Sequence, residues 1–234
     1  MLCNSMWENM YTSGEYAANN PGWHVEHSPW KAHNILKLLR KNGLEPTSVC
    51  EVGCGAGEIL RCLCAEMCKC NFVGYEISPQ AFNVARSKST DRLKFRFGEA
   101  FSDRETFDVA MAIDVFEHVD DYIGFVRSMA GKGKFKVYHI PLDLSVQMLL
   151  RGKPLITMRH SVGHIHSFTK DTALETLAYT GQQILDWAYT GAVDLPHKSL
   201  KSQFAKWPRK LMFSINPDFA VRLLGGYSLL VLCK

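Results

Sequence analysis

The sequence predicts an α/β fold in which a doubly wound, largely parallel sheet carries helices on both faces. From residue 48 onward, short apolar runs alternate with amphipathic stretches, and this alternation is typical of a parallel sheet. The first apolar run leads into the glycine-rich turn Gly53-Cys54-Gly55-Ala56-Gly57. Acidic residues also follow several predicted strands, at the edge of such a sheet where ligands bind.

The elements follow one another in a regular order. Residues 1–30 are rich in aromatic and polar side chains, and Ser28-Pro29 then opens a helix that ends at Asn42-Gly43. The repeating core comprises strands at 49–53, 71–76, 93–97, 107–113 and 134–140, with helices at 58–67, 80–87 and 120–130 between them.

The pattern changes after Pro141. Residues 142–167 are interpreted as an insertion, and Thr169 has the side chain of a helix N-cap. The remaining predicted elements are a short helix near 144–150, a helix over 169–180 and strands at 183–190 and 227–233. The segment 191–226 contains six basic and two acidic residues, so it carries the whole formal net charge of +4.

Length and composition indicate one domain. A chain of 234 residues fits a single core with additions. The positive charge is too small and too local to indicate a nucleic-acid partner. The first ten residues lack the basic start and apolar run of a signal peptide, and no apolar run is long enough to span a bilayer. We therefore expect a cytoplasmic protein with reduced thiols.

Four of the eight cysteines lie close together, at Cys62, Cys64, Cys68 and Cys70. Helical positions two apart point to different faces, so only Cys64 and Cys68 would be neighbours on a helix. The spacing also lacks the paired C-x2-C loops of structural zinc sites. We interpret these cysteines as small apolar side chains and predict no metal site.

Glu51 gives the glycine turn a chemical preference. A dinucleotide would place its pyrophosphate at the start of the following helix, where nearby carboxylates repel it. Glu58 also stands where the nicotinamide-dinucleotide fingerprint has Gly or Ala. The turn therefore favours a ligand with cationic groups and no phosphate, and S-adenosylmethionine, which carries a sulfonium and an ammonium group, fits this description.

Acidic residues at three later strand ends complete the predicted ligand site. Glu76 follows the second strand, where a carboxylate can accept both ribose hydroxyls of a nucleoside. Glu99, beside Ala100, follows the third strand, where an acceptor meets an adenine amino group, and Asp114 follows the fourth. One such residue alone is often a solvated loop carboxylate, but the series after a glycine turn favours a nucleoside site.

These motifs, in this order, resemble the class I S-adenosylmethionine-dependent methyltransferases, and within them the small-molecule group of methyltransferase types 11 and 23. The resemblance covers residues 48–141 and continues more weakly towards the C-terminus. The matching segments are 51–57, 74–78, 97–100, 107–119 and 163–169. The family implies a Rossmann-like seven-stranded sheet of order 3-2-1-4-5-7-6 with strand 7 antiparallel, N-terminal helices and a helical insert before the last strand.

The resemblance also implies how the single domain, 1–234, is used. It assigns a helical cap to 1–47, a cofactor-binding core to 48–141 and an acceptor-side half, with the insert 191–226, to 142–234. The cofactor would be S-adenosylmethionine and the product S-adenosylhomocysteine. The expected cofactor-binding residues are Trp30, Glu51, Gly53, Gly55, Gly57, Glu76, Ile77, Glu99, Ala100, Asp114, Val115 and His118.

Three histidines are candidate general bases, because histidine titrates near neutral pH. His139 lies near the end of the fifth predicted strand, and His164 and His166 lie in the loop that faces the expected pocket. A lone histidine is more often a structural hydrogen-bonding group or a surface residue than a base. Alignment of the acceptor can supply several kcal/mol without any base, whereas a base adds about 10²–10⁴-fold.

Two aromatic groups leave alternatives open. Trp23, Trp30 and Tyr11 either form a lid over the sulfonium or pack the N-terminal helices on the sheet. The aromatic and basic insert 191–226 either contacts an anionic or amphiphilic acceptor or a membrane surface, or forms a cap with a solvated basic face.

The resemblance of residues 114–119 and 163–169 to small-molecule O-methyltransferases predicts methyl transfer to an oxygen atom. N-methylation of a small amine and a non-catalytic scaffold that binds S-adenosylmethionine are the alternatives. We expect no nucleic-acid partner, because the fourth-strand motif is not the Asn/Asp-Pro-Pro-aromatic pattern of enzymes that methylate planar amines. The sequence does not indicate an oligomeric state.

Overall fold

The computed structural model describes residues 10–23, 25–191 and 206–234. Seven strands form one sheet in the order β3-β2-β1-β4-β5-β7-β6. They are β1 (Ser48–Val52), β2 (Asn71–Glu76), β3 (Leu93–Phe97), β4 (Phe107–Ile113), β5 (Gly133–Pro141), β6 (Ile184–Gly191) and β7 (Tyr227–Cys233). β1 to β5 pair in parallel, and β7 runs antiparallel to both β5 and β6. The predicted fold class, strand order and antiparallel last strand are confirmed.

The helices of the described residues surround this sheet. They are α1 (Glu15–Asn19), α2 (Ser28–Lys41), α3 (Glu58–Glu66), α4 (Pro79–Arg86), α5 (Tyr122–Met129), α6 (Val146–Arg151), α7 (Lys153–Ser161), α8 (Lys170–Tyr179), α9 (Lys206–Ile215) and α10 (Pro217–Leu224). The predicted insert 191–226 is described only in part, since residues 192–205 lie outside the described ranges. No helix in the described part of the chain is both long and apolar enough to cross a bilayer.

Two helix starts follow directly from their sequence. The Ser78 side chain accepts a hydrogen bond from the Ala81 backbone at the start of α4, and a proline occupies the first turn. Thr169 and Thr172 form a reciprocal capping box at the start of α8. Both starts agree with the predicted positions.

The insertion after β5 contains two helices, α6 and α7, where the sequence predicted one. Gly152 has φ +67°, a conformation that favours glycine, and it ends α6. A proline in the first turn of α7 then restarts the helix. The apolar residues of α7 do not form a clear stripe, and none is buried, so periodicity alone did not reveal it.

Both faces of the sheet are covered by apolar packing. On one face, Ile35 and Leu39 of α2 and Leu60 of α3 pack against the strands. On the other, Phe116 and Leu177 pack around Tyr138. Full burial of each such side chain contributes about 1.5–3 kcal/mol. The sheet is therefore fixed from both sides, which leaves the carboxyl ends of its strands to form a site.

The strand order changes direction between β1 and β4. β1 pairs with β2 on one side and with β4 on the other, so the connections on its two sides leave in opposite directions. A crevice opens at such a point outside the carboxyl ends of the strands. The glycine turn after β1 and the acidic residues after β2 and β4 all reach this crevice.

Candidate active site

A cavity of about 1020 Å³ opens at the carboxyl ends of β1, β2, β4 and β5. It is lined by 13 of the 15 residues that the sequence analysis selected: Trp30, Glu51, Gly53, Gly55, Glu76, Ile77, Glu99, Ala100, Asp114, Val115, His118, His139 and His164. The other two, Gly57 and His166, do not line it. Aromatic residues of the N-terminal segment, among them Tyr11, Tyr16 and Trp23, form part of its wall.

The three glycines of the turn have different structural roles. All have positive φ, at +72° for Gly53, +53° for Gly55 and +73° for Gly57. A Cβ at Gly53 would lie 2.9 Å from Val115, and one at Gly57 would lie 2.5 Å from the Phe95 ring. A Cβ at Gly55 would meet no atom within 4 Å. Gly53 and Gly57 therefore permit close packing, whereas Gly55 leaves open space where a ligand can approach the backbone.

Glu76 is held by two backbone groups. The amides of Gly55 and Ser78 each donate to one of its carboxylate oxygens, both at 2.7 Å. Burial raises the pKa of Glu76, and these two hydrogen bonds oppose that rise. Each carboxylate oxygen has a second lone pair, so the fixed carboxylate can still accept hydroxyl groups from a ligand.

Glu51 is buried and incompletely paired. It is 1% exposed, and its Oε2 atom has no hydrogen-bond partner. Burial raises its pKa to about 8, and the charge of Lys31 opposes the rise. A buried carboxylate oxygen without a partner, on the wall of a cavity, suits the ammonium group of a ligand.

Asp114 is the centre of a charged network. Its backbone has φ +54°, and its two oxygens contact Lys31 Nζ at 2.5 Å and His139 Nδ1 at 2.5 Å. His139 Nε2 lies 2.8 Å from the Thr190 hydroxyl. Burial acts to raise the pKa of Asp114, but the charges of His139 and Lys31 outweigh it and hold the pKa well below its usual range. Asp114 thus joins Lys31 to the predicted base His139.

A second cluster lies beside this network and includes Glu117, which the sequence analysis did not select. Glu117 is 1% exposed, and neither carboxylate oxygen has a partner. Its Oε1 atom lies 3.8 Å from His118 Nε2, and the rings of His118 and His164 are 4.8 Å apart. Asp143 contacts His164 Nδ1 at 2.6 Å. Burial and the neighbouring His164 lower the pKa of His118 to about 4, so it is neutral at pH 7.

His166, unlike the other two candidate bases, does not line the cavity. Its Nε2 atom lies 3.0 Å from the backbone oxygen of Val119, and its ring packs on Tyr122 at 4.5 Å. The aromatic residues of the N-terminal segment form a chain, with Tyr16 packed between Tyr11 and Trp23 at 4.8 and 5.2 Å.

Lys31, Thr190, Asp143 and Glu117 were missed by sequence reasoning. Lys31, Thr190 and Asp143 stand in no motif. Lys31 lies 83 residues from Asp114 along the chain, and Thr190 lies 51 residues from His139. For Glu117 a signal existed, since it adjoins His118 in the motif after β4. Its burial against a strand-end turn could not be read from that motif.

Comparison with known proteins agrees with this geometry. A family model described as a methyltransferase domain matches residues 24–181. A stretch of 100 residues, 40% of the chain, is 32% identical to a ubiquinone biosynthesis O-methyltransferase of Rhodopseudomonas palustris (strain BisA53). That match spans 38% of the relative's length.

Two solved structures have the same fold across nearly the whole chain. The magnesium protoporphyrin IX methyltransferase of Synechocystis PCC 6803 with bound SAH has a TM-score of 0.64 at 14% identity, covering 97% of this chain and 96% of that one. A SAM-dependent methyltransferase of Geobacter sulfurreducens in complex with S-adenosylhomocysteine has a TM-score of 0.63 at 15% identity, with coverages of 94% and 96%. At such identities the likeness concerns the fold.

Proposed function

Because this chain belongs to the methyltransferase-domain family and is an S-adenosylmethionine-dependent enzyme of class I, we propose that it methylates an oxygen atom of a small-molecule acceptor. One observation carries the proposal. The unpaired carboxylate of Glu51 and the fixed carboxylate of Glu76 line the same cavity as the Asp114–His139 pair. A cationic nucleoside and a proton acceptor would therefore meet in one cavity.

The residues around the turn fit S-adenosylmethionine. Glu76 would accept the ribose hydroxyls, Glu51 would pair with the ammonium group, and Gly55 would leave room for the chain that joins them. Glu99 and Ala100 would border the adenine, with Ile77 and Val115 against its faces. When bound, the cofactor supplies an electrophilic methyl group, and the protein has to align the acceptor with it.

Of the three candidate bases, His139 has the strongest support. Asp114 accepts a hydrogen bond from His139 Nδ1, which leaves Nε2 as the basic nitrogen, and a carboxylate in this position stabilises the imidazolium that forms. The Thr190 hydroxyl orients the Nε2 side. Because Thr190 occupies Nε2, the acceptor's hydroxyl proton would pass to the Thr190 oxygen while the Thr190 hydroxyl proton passes to His139 Nε2. Lys31 would hold Asp114 in its ionised state.

Binding of the cofactor is tested by calorimetry with S-adenosylhomocysteine. Glu76→Ala removes an acceptor of two hydroxyl groups, and hydrogen bonds to charged groups contribute about 1.5–3 kcal/mol each, so affinity should fall more than tenfold. Glu66→Ala, on an exposed residue at the end of α3, is the control and should bind like the wild type. Equal binding by Glu76→Ala, or a preference for a nicotinamide dinucleotide, would contradict the assignment.

The acceptor atom is tested with labelled S-adenosylmethionine and matched pairs of a phenol and the corresponding aromatic amine. We expect label on the phenol, and a loss of about 10²–10⁴-fold in rate for His139→Gln with S-adenosylhomocysteine binding retained. Methylation of the amine, with the rate unaffected by His139→Gln, would favour N-methylation. Binding without transfer to any acceptor would favour a scaffold.

We also propose an amphiphilic acceptor reached from a membrane surface. Trp207, Leu211 and Ile215 lie four residues apart on α9 and are exposed, with Trp207 at 75%. Leu149 and Leu150 of α6 are exposed as well, with the basic residues Arg151 and Lys153 next to them in sequence. α7 follows α6 in the chain and leads to Val162, which lines the cavity. An apolar face with basic neighbours is typical of helices that lie on lipid surfaces.

A further inference from the structure

The carboxylate of Glu117 is buried without a partner. Both oxygens lack hydrogen bonds although the residue is 1% exposed. The nearby cation Lys31 is already bound to Asp114. Buried carboxylates are costly unless they meet hydrogen-bond donors, cations or metal ions. A bound cation would offset this cost, and the described side chains place none within hydrogen-bonding distance of the Glu117 oxygens.

Backbone hydrogen bonds hold two histidines beside this carboxylate. The backbone amides of Ile165 and His166 both donate to the Glu117 carbonyl at 3.0 Å, so the loop after α7 is joined to the turn that follows β4. This connection brings His164 next to His118. One ligand atom each from Glu117, His118 and His164 lies within 4.8 Å of the other two.

Both histidines have their Nδ1 atom bound to an oxygen acceptor, which leaves Nε2 as the nitrogen available to a metal ion. His118 Nδ1 lies 3.0 Å from the carbonyl oxygen of Gly163, which can only accept, so Nδ1 carries the hydrogen. His164 Nδ1 likewise donates to Asp143. The Nε2 atoms therefore keep their lone pairs. Histidine ligands of metal ions are commonly oriented in this way, by a carbonyl or a carboxylate behind the ring.

We propose that Glu117, His118 and His164 bind one divalent first-row transition-metal ion on the wall of the active-site cavity. Two imidazoles and one carboxylate form the ligand set of open zinc sites and of two-histidine, one-carboxylate iron sites. Magnesium prefers oxygen ligands and should bind more weakly. Ligand atoms around such an ion lie roughly 3–4 Å apart, so small side-chain movements complete the site. This assignment departs from the sequence prediction, which considered only cysteines as ligands.

The ion would have open coordination positions that face the cavity, because His118 and His164 both line it. An acceptor oxygen bound there would lie in the same cavity as His139, and the ion would favour loss of its proton. This role rests on the proposed function. Binding of the ion itself does not, and it can be measured without cofactor or acceptor.

The test uses the full chain after treatment with EDTA and dialysis. Titration with Co²⁺, followed by its visible absorption, and with Zn²⁺, followed by calorimetry, should give one ion per chain, with Mg²⁺ much weaker. Glu117→Gln and His164→Asn should each lower the affinity for the ion by more than about 100-fold. Asp143→Asn, which removes the group that holds His164 but no ligand, should lower it by about 10–100-fold. His160→Asn, on an exposed histidine of α7, is the matched control and should bind like the wild type.

Two results would overturn the proposal: no binding of one ion per chain at millimolar Co²⁺ or Zn²⁺, or unchanged affinity in folded Glu117→Gln and His164→Asn. Circular dichroism establishes which variants fold, and His118→Asn and Asp143→Asn provide two further tests if the first pair do not. Calorimetry with S-adenosylhomocysteine on the metal-free protein tests the cofactor site separately. Loss of one kind of binding therefore does not imply loss of the other.

Discussion

At the scale of single residues, the buried carboxyl group of Glu51, which we propose binds the cofactor, has a cost to the fold. Burial raises its pKa from an ordinary 4.5 to about 8. Between these values the folded protein holds a proton that the unfolded chain has released. The contribution of Glu51 to the free energy of unfolding therefore decreases as the pH rises from about 5 to 8.

We expect Glu51→Gln to remove the loss of stability that Glu51 causes at high pH, because glutamine has a similar shape and stays neutral. The ligand-free variant should have a higher free energy of unfolding than the wild type at pH 8, and the difference should shrink towards pH 5. Urea unfolding at the two pH values measures it. S-adenosylhomocysteine should bind the variant more weakly, since the ammonium group loses its partner. A difference in stability that does not change with pH would argue against a raised pKa.

Asp114 and Lys31 form a largely buried ion pair, with 24% and 16% of their side chains exposed, and its loss should destabilise the fold. Removing one partner of a buried pair costs about 3–5 kcal/mol, whereas an exposed pair contributes about 0–1 kcal/mol. We expect Asp114→Asn to destabilise the protein by several kcal/mol in urea unfolding, and Lys41→Ala, which breaks the exposed pair with Asp186, by less than about 1 kcal/mol. The double variant Asp114→Asn/Lys31→Met should recover part of the loss. If Asp114→Asn and Lys41→Ala lose similar amounts of stability, the pair of Asp114 with Lys31 stabilises the fold no more than an exposed pair does.

These residues also show what the sequence could predict about the site. Glu51, Glu76 and Asp114 were predicted to meet because the carboxyl ends of parallel strands lie at one edge of the sheet. Their partners were not, because Lys31 comes from a helix in the N-terminal cap and its approach depends on how that helix packs. Strand order thus brings the carboxylates together, while tertiary packing decides what each of them binds.

At the scale of elements, the turn between β1 and α3 separates packing from ligand access. Gly57→Ala introduces a Cβ 2.5 Å from the Phe95 ring at φ +73°. Strain and overpacking cost about 1–3 kcal/mol each, so this variant should lose more stability than Gly43→Ala, which has φ +65° and open space around its Cβ. Gly55→Ala should resemble Gly43→Ala in stability but bind S-adenosylhomocysteine more weakly. Thermal unfolding and calorimetry measure the two effects, and equal stability losses at residues 43 and 57 would contradict the packing argument.

The elements that the sequence predicted well are those whose pattern is local. Apolar runs of β1 to β5 and the caps of α4 and α8 can be read within a few residues. The insertion was read less well, because Gly152 divides it into two short helices without buried residues. Short helices that depend on the rest of the molecule for their stability carry little periodic signal.

At the scale of the whole molecule, the cavity is assembled from three parts of the chain. The N-terminal segment supplies Trp30 and Lys31, the strand ends supply the carboxylates, and the region after β5 supplies His164. Beyond the cavity, Trp207, Leu211 and Ile215 form an exposed apolar face on α9, and α6 exposes Leu149 and Leu150. A solvated cap would not need such residues.

We expect this face to bind vesicles that contain anionic lipid. Full burial of one large apolar side chain contributes about 1.5–3 kcal/mol, so Trp207→Ser/Leu211→Ser should lower vesicle affinity at least tenfold in co-sedimentation. Tyr179→Ser, on an exposed aromatic residue of α8, is the control and should sediment with vesicles like the wild type. Binding should weaken with salt if the basic residues contribute. If the double variant sediments like the wild type, the acceptor does not reach the cavity through a lipid contact at α9, and the apolar face has another partner.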